Sequence, residues 1–326
     1  MERQLTAPAS APASAPAVVE KAARPGRHKG TDAEGEAERG MLSSHDRRKP
    51  GVKVGMGIVH VFLFAGLLVV GLGPLVLLAK FAVTPTADII SSPLGIFPNG
   101  IDWANLTQAW FDVEVGKYFF NTIALAAGSW LFAIVISTTG GYVLSVLKPA
   151  YAKVLNIAVL ATLFIPSVVL LVPLYITVVR PAIGPSLLNS YLGVWLPTAA
   201  NAFLILLMKR FFDSLPHEVF EAARTDGAGP FRLFWSVVLP MSKPILGVVS
   251  VFAIIASLKD FLWPSLVLMD PAVQPLGVRL PAIDSQTELD VNLAALAIAT
   301  IIPIALFLVF QRTFLKSAGL GGAVKG

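Results

Sequence analysis

Long apolar blocks separated by short polar stretches dominate the pattern of this chain. A helix that crosses a bilayer needs about 20 mainly apolar residues. Transmembrane β-strands would instead appear as alternating segments of about ten residues, which is not the pattern here. The sequence therefore predicts an all-α membrane protein with six transmembrane helices, at 58–79, 119–147, 154–179, 191–208, 245–269 and 293–310.

The chain before the first block has a different composition. Residues 1–53 hold an Ala/Pro/Ser-rich run and a charged, Gly-rich run, and neither can bury enough apolar surface to offset chain entropy. We predict a disordered cytoplasmic tail there and a six-span membrane domain over 54–326. The early apolar region of a signal peptide is lacking, so the first block is expected to remain as a span.

Lysine and arginine residues indicate the orientation, because cytoplasmic loops carry an excess of both. The flanks on the side of the two chain ends hold fourteen of them, whereas the opposite flanks hold four, Lys80, Lys117, Arg180 and Arg279. We therefore expect both termini of a multi-pass plasma-membrane protein to be cytoplasmic. The positive net charge is then a sign of topology, and no nucleic-acid partner is expected.

Composition excludes several kinds of chemistry. The chain has no cysteine, which rules out disulfides and thiolate metal sites. It also has no Gly-rich loop followed by Lys-Ser or Lys-Thr, so it is not expected to bind nucleotide phosphates. His217, beside Glu218, is interpreted as a first-turn helix residue and not as a metal ligand. We expect no catalytic residue, no metal and no cofactor.

Two loops are long enough to fold. On the outer side, 80–118 predicts a short amphipathic helix near Trp103 and Trp110, either an interfacial anchor or a docking face for an external partner. On the inner side, 213–244 predicts two short helices with a glycine hinge.

The inner loop carries clear start and stop signals. Ser214 or Asp213 is placed to cap its first helix, and Pro216 lies in the first turn. Gly227 is placed to end that helix and is expected to adopt a left-handed conformation. Helices this short are marginal in water, so the loop is either a hairpin on the membrane surface or a surface that packs against a partner.

A motif in the same loop resembles a known family. The letters EAA, three residues, Gly, nine residues and V-x-L-P are similar to the signature loop of the membrane subunits of binding-protein-dependent ABC importers. The similarity continues through FIPSVVLLVPLY, DFLWPSLVL and the ending QRTFLKSAGLGGAVKG, and it resembles the MalG-type permeases of carbohydrate uptake. The resemblance implies ATPase-coupling roles for Glu221, Ala222, Ala223, Asp226, Gly227, Leu239 and Pro240.

The resemblance also implies an assembly in the lipid bilayer. The chain would pair with a second related permease above two ATPase subunits, which hydrolyse the ATP, and would receive its substrate from an extracytoplasmic solute-binding protein. The two alanines of the motif would let the coupling helix sit close in an ATPase groove, and the tail 311–326, with Gln311 and Lys325, would reach the ATPase interface. The implied substrate is a sugar or oligosaccharide, while a polyol, a glycerophosphodiester or another solute stays open.

Within the spans, two prolines and one tryptophan are candidates for the substrate path. Pro166 and Pro173 each free a backbone carbonyl and invite a kink or break. Broken helices occur in membranes where they face protein or a water-filled cavity, although helix packing is an alternative role. Trp263 could stack on a sugar ring or sit at the bilayer interface.

Lys259 and Asp260 are the most conspicuous charges inside a predicted span. A charge at a span centre costs about 2.5–3.5 kcal/mol on insertion scales, so both are expected to face a polar interior or a partner. Adjacent helix residues do not face each other, and the two are not expected to form one neutralising pair. They are further candidates for the substrate path, with helix packing as one alternative and the coupling site of an ion-coupled secondary transporter as a second.

Overall fold

The computed structural model describes residues 50–93, 95, 97, 98 and 100–319, with side chains described as far as Gln311. The predicted tail, 1–53, lies almost wholly outside the described residues, as does Lys325. By internal contacts the chain divides into Met1–Ala65 and Gly66–Gly326. The described part is helical and has no strand.

The helices follow the predicted blocks closely. In chain order the described α-helices are α1 (Pro50–Phe81), α2 (Thr86–Ser91), α3 (Ala104–Thr107), α4 (Val115–Tyr142), α5 (Ala152–Thr162), α6 (Ser167–Val179), α7 (Leu192–Ala199), α8 (Ala202–Asp213), α9 (His217–Thr225), α10 (Pro230–Leu233), α11 (Leu239–Met241), α12 (Lys243–Lys259), α13 (Leu262–Val267), α14 (Leu276–Asp284) and α15 (Leu289–Gly319). Wider π-turns extend α3, α4 and α10, and a 3₁₀ turn, Pro271–Val273, precedes α14.

Three helices are long and apolar enough to cross a membrane unaided, and three bent pairs of helices pass the same criterion together. By length and hydropathy α1, α4 and α15 are each sufficient. The pair α5 and α6 bends by 110°, and the pair α7 and α8 by 46°. The chain also turns by 81° where α12 leaves the segment that precedes it. Counting each bent pair once gives up to six candidate spans, the predicted number, although the last pair joins α12 to Pro230–Met241 and the predicted fifth block joined it to the residues up to 269.

The break in the third span lies at Pro166. Leu163, Phe164 and Ile165 hydrogen-bond to carbonyls three residues back, which tightens the end of α5. Pro166 then precedes α6, where its missing N–H costs nothing. Pro173 lies inside α6 without interrupting it. The expected break is therefore confirmed at the first proline, whereas the second accompanies no break.

The fifth span is interrupted as well, which the continuous block 245–269 did not predict. Seventeen residues of α12 rise about 25 Å at 1.5 Å each, less than the roughly 30 Å hydrocarbon core of a bilayer. Asp260 and Phe261 separate α12 from the short α13. The polar residue therefore lies at a helix break and not on a continuous helix face.

Helix α4 is the centre of the packing, because it contacts α7, α8, α12, α14 and α15. Glycines permit this close approach, as small residues do in other membrane bundles. A Cβ on Gly141 would lie 2.8 Å from the Cβ of Met208, and a Cβ on Gly128 would overlap the ring of Trp195 at 2.0 Å. Large apolar side chains on the outer faces, such as Phe164 and Val172, are exposed and suit contact with lipid.

The loop predicted to lie outside contains the expected short helical segment, α3 with its π-turn Gln108–Asp112. Ala109 is fully buried against a cluster that includes Leu276 and Ala294, whereas Trp103 is 66% exposed. One face of the segment is thus fixed on the bundle, and the other is free.

Candidate functional site

Two regions gather most of the residues singled out by sequence, a hairpin and a cleft. The hairpin is the segment 217–241, which contains α9, α10 and α11. Gly227 ends α9 with φ +77°, the left-handed conformation expected from its position. The N–H groups of Gly227 and Ala228 donate to the carbonyls of Arg224 and Ala223 at 3.0 and 2.9 Å, which closes the turn.

The start of α9 differs from the prediction. Neither Ser214 nor Asp213 caps it, because Pro216 occupies the capping position and makes no side-chain bond to the helix. Asp213 is the last residue of α8 instead. Its carboxylate accepts hydrogen bonds from Lys209 Nζ at 2.6 Å and from Ser145 Oγ at 2.7 Å. The acid therefore fixes α8 to the end of α4.

Buried aromatic and aliphatic side chains hold the hairpin on the bundle. Phe220, Leu233, Phe234 and Val238 are each at most 7% exposed and belong to one cluster with residues of α4, α8 and α12. Tyr142 of α4 packs against Phe234 with ring centroids 5.0 Å apart and the ring planes tilted by 53°. The tyrosine hydroxyl donates to the carbonyl of Pro230 at 2.8 Å. The hairpin is thus attached by packing and by a specific hydrogen bond.

The opposite face of the hairpin is open. Glu221 and Ala222 are exposed, and so are Phe231, at 77%, and Trp235, at 52%. Ala223 is partly buried and packs on the cluster beneath. The two motif alanines thus differ in exposure, and the expectation that both line an ATPase groove stays a prediction. Among the remaining motif residues Asp226 and Pro240 are exposed, and Leu239 packs partly on the same cluster.

The cleft lies between α6, the bend of α7 and α8, and the break between α12 and α13. It consists of two adjoining cavities of about 370 and 380 Å³. Both are lined by Ser167, Pro197, Thr198, Ala256 and Asp260. The first cavity is lined by apolar side chains and by further isolated polar groups, namely Ser129, Thr162, Asn201 and Ser257.

Asp260 projects into this cleft from the helix break. Its Oδ1 accepts a hydrogen bond from the backbone N–H of Trp263 at 3.2 Å. Lys259 lies on another side, in an apolar groove of about 460 Å³ between α12 and α15. Within the described chain no ion pair joins the two residues, as expected for adjacent positions.

Trp263 lies in the interior, only 6% exposed. Its indole N–H donates to the carbonyl of Gly193 at 3.2 Å. That carbonyl needs a partner, because the residue four positions later is Pro197, which has no N–H. Trp263 therefore replaces a helix hydrogen bond and forms one wall of the second cavity. Burial at this level does not fit the alternative of an interfacial anchor.

The remaining candidates lie outside the cleft. Pro166 and Pro173 are exposed, and neither is among the residues that line the two cavities, although Ser167 and Leu171 beside them are. Gln311 donates to the carbonyl of Leu308 at 2.9 Å. No group of His, Asp or Glu in the described part is arranged to hold a metal ion.

Sequence reasoning missed several polar residues of the cleft. Ser129, Asn201 and Ser257 stand alone inside apolar blocks, and each belongs to a different helix or bend. A single polar residue in a span was the available signal, but it gives no indication of which face it occupies. The contact of Asp213 with Ser145 was missed for the same reason.

Comparisons with known proteins now define the class. Residues 137–316 match the model of the family described as binding-protein-dependent transport system inner membrane component. The chain belongs to this family and is a permease component of an ABC importer, so its resemblance to such permeases is confirmed, and the ion-coupled alternative is set aside.

Individual relatives agree with the family. The chain is 30% identical to the diacetylchitobiose uptake system permease protein of Streptomyces coelicolor, over 72% of this chain and 78% of the relative. It is 28% identical to the sn-glycerol-3-phosphate transport system permease protein of Yersinia enterocolitica, over 79% and 93%. A solved bacterial ABC transporter for the acidic polysaccharide alginate has the same fold, with a TM-score of 0.69, 22% identity and coverage of 84% and 99%.

Proposed function

We propose that this permease moves a saccharide, delivered by an extracytoplasmic solute-binding protein, through the membrane with energy from ATP hydrolysis in partner subunits. The diacetylchitobiose relative supports the substrate class. The observation that carries the coupling mechanism is the hairpin, which is anchored on one face and open on the other. A surface of this kind can carry the closing motion of an ATPase into the bundle as a rigid body.

The open face has the chemistry of a docking surface. Phe231 and Trp235, with ring centroids 6.1 Å apart, provide exposed aromatic area of the kind enriched at interface centres. Glu221 offers a negative charge to a basic partner, and Ala222 leaves room for close approach. Two permeases, this chain and a related one, would each place such a hairpin on one of two ATPase subunits. Gln311 and Lys325 of the tail would approach the same subunits.

Docking can be tested on residues that do not support the fold. Phe231→Ser and Trp235→Ser should leave the spans inserted, because both side chains are exposed. Both variants should reduce co-purification of the ATPase and saccharide uptake about tenfold, because they remove the aromatic area of the docking surface. Ile183→Ser is a matched control, since Ile183 is 93% exposed in the loop after α6. Normal co-purification and uptake in both hairpin variants would contradict docking through this face.

The proposed orientation, with both termini in the cytoplasm, rests on the distribution of lysine and arginine. The chain has no cysteine, so single cysteines can be introduced without a background signal. Ser92→Cys and Ser285→Cys should react with an impermeant thiol reagent in intact cells, whereas Thr225→Cys should react only after the cells are opened. Labelling of Thr225→Cys in intact cells would contradict the proposed orientation and favour the opposite one.

A second substrate class is favoured by a specific observation, the similarity to the sn-glycerol-3-phosphate permease. Uptake of labelled disaccharides and of glycerol 3-phosphate by the complete importer separates the two. Transport of glycerol 3-phosphate alone would overturn the saccharide proposal and leave the class of the protein unchanged.

A further inference from the structure

The relatives are named for solutes of different charge: sn-glycerol 3-phosphate and the acidic polysaccharide alginate are anionic, whereas diacetylchitobiose is neutral. The charge of the cleft can therefore indicate which kind of solute this permease accepts. Among the described residues that line its two cavities, Asp260 is the ionisable one, and no lysine, arginine or histidine is present. Lys259, the nearest cation in the sequence, lines the groove toward α15 instead. The lining of the cleft is therefore negative.

The carboxylate is held in place and keeps one oxygen for a ligand. Oδ1 accepts from the N–H of Trp263, so the side chain is fixed at the helix break. No described residue donates to Oδ2 at hydrogen-bond distance. An ionised carboxylate only accepts hydrogen bonds, so a solute that bonds to it must bring a donor, such as a hydroxyl, amide or ammonium group.

Ser129 gives an independent indication of a ligand. The residue is 5% exposed, it lines the first cavity, and its hydroxyl has no hydrogen-bond partner in the described part of the chain. Buried polar groups are nearly always paired. A solute hydroxyl or a water in the cleft would satisfy it, and a sugar hydroxyl can both donate and accept.

We propose that the cleft selects by charge, so that the saccharide carried through it is neutral or bears an amino group, and anionic saccharides are rejected. A phosphate or uronate near Asp260 would meet a like charge on a half-buried side chain, where screening is weaker than at an exposed one. Specificity of this kind comes from the repulsive element as much as from the attractive one. This inference rests on the proposed saccharide function and adds the charge class of the substrate.

The test uses the complete importer with its own binding protein and three labelled disaccharides: chitobiose, which carries amino groups, diacetylchitobiose, which is neutral, and a diuronate. The parent should take up one or both of the first two and not the third. Asp260→Asn keeps the Oδ1 acceptor for Trp263 and removes the charge. It should lower uptake of chitobiose about tenfold, or of diacetylchitobiose about threefold, relative to the parent.

Asp270→Asn is the matched control. Asp270 Oδ1 accepts from the backbone N–H of Ala272 at 2.8 Å, and the residue is exposed outside the cleft. The same substitution there should leave uptake unchanged. Because each variant is compared with the parent for the same sugar, the preference of the binding protein cancels in the two variant comparisons, and these comparisons, not the absence of diuronate uptake, carry the test.

The outcomes separate the inference from the function on which it rests. Uptake of the diuronate at a rate similar to the other sugars, or equal uptake by Asp260→Asn and the parent, would overturn charge selection while saccharide transport stands. Uptake of no saccharide, with transport of a neutral or cationic solute that is not a saccharide, would refute the saccharide function and support charge selection. Transport of glycerol 3-phosphate alone would count against both.

Discussion

The hairpin takes its shape from one continuous stretch, 217–241, whereas the cleft takes its lining from seven helices, α4 to α8, α12 and α13, which span more than 130 residues of the chain. In the hairpin, Gly227 and Pro230 mark the turn, and buried Phe220 and Phe234 attach it to the bundle. In the cleft, Ser129 and Asp260 meet only because α4 packs between the surrounding helices. A local signal can therefore identify the first region, but not the second.

The two regions also differ in what holds their polar groups. Around the hairpin, Asp213 and Tyr142 have defined partners within the chain. In the cleft, Ser129 and one oxygen of Asp260 lack such partners among the described residues. The first arrangement fixes a surface for another subunit, and the second leaves groups for a transient ligand. The predictions below test this contrast, beginning with the largest expected effect.

Gly227→Pro should reduce uptake at least thirtyfold. Proline is limited to φ near −65°, and Gly227 has φ +77°. The turn between α9 and α10 must therefore open, and the docking face loses its geometry. Vesicle uptake and co-purification of the ATPase measure the effect.

Gly227→Ala and Gly229→Ala are graded controls for that variant. A Cβ meets nothing within 4 Å at either glycine, so only backbone strain differs between them. Alanine at Gly227 should cost about 1–2 kcal/mol for the left-handed conformation, and alanine at Gly229, with φ −68°, should cost far less. Equal uptake by all three variants would show that the turn has no role in coupling.

Trp263→Phe should destabilise the cleft wall. The carbonyl of Gly193 would lose its donor while it stays buried, at a cost of about 1–3 kcal/mol. A lower melting midpoint of the purified importer is expected. Pro197→Ala restores the missing helix N–H and should rescue the double variant by about half of that loss or more. Absence of rescue would mean that the indole acts through packing alone.

The contrast between local signals and contacts distant in sequence also explains which features of the molecule could be predicted. The spans and Gly227 were predictable, because hydrophobic blocks and a glycine after a helix are local signals. The cap of α9 was predicted wrongly, because Asp213 accepts a hydrogen bond from Ser145 in the π-turn after α4. The residues next to Asp213 in the sequence give no sign of this tertiary contact. The break at Asp260 was missed, since an apolar block does not reveal where its hydrogen bonds are interrupted.

Tyr142→Phe should have a smaller effect than either change above. The ring contact with Phe234 is kept, and only the hydrogen bond to Pro230 is lost. A bond of this kind contributes about 0.5–1.5 kcal/mol net, so uptake should fall about two- to tenfold. ATPase co-purification at high subunit concentration should recover the parent level. A loss that concentration does not restore would indicate that the bond maintains the bundle itself.

Lys259→Asn should have the smallest effect, with uptake within about twofold of the parent. The side chain lies in the groove between α12 and α15, beside Leu258 and Phe307, and not in the cleft that Asp260 enters. A lysine inside a span is costly, so its replacement by a neutral residue should not impair insertion. The measurement is uptake normalised to inserted protein, for the same three disaccharides used with Asp260→Asn. A change in the order of preference among the three sugars would place Lys259 on the path after all, and the two adjacent charges would then act on one solute from opposite sides of α12.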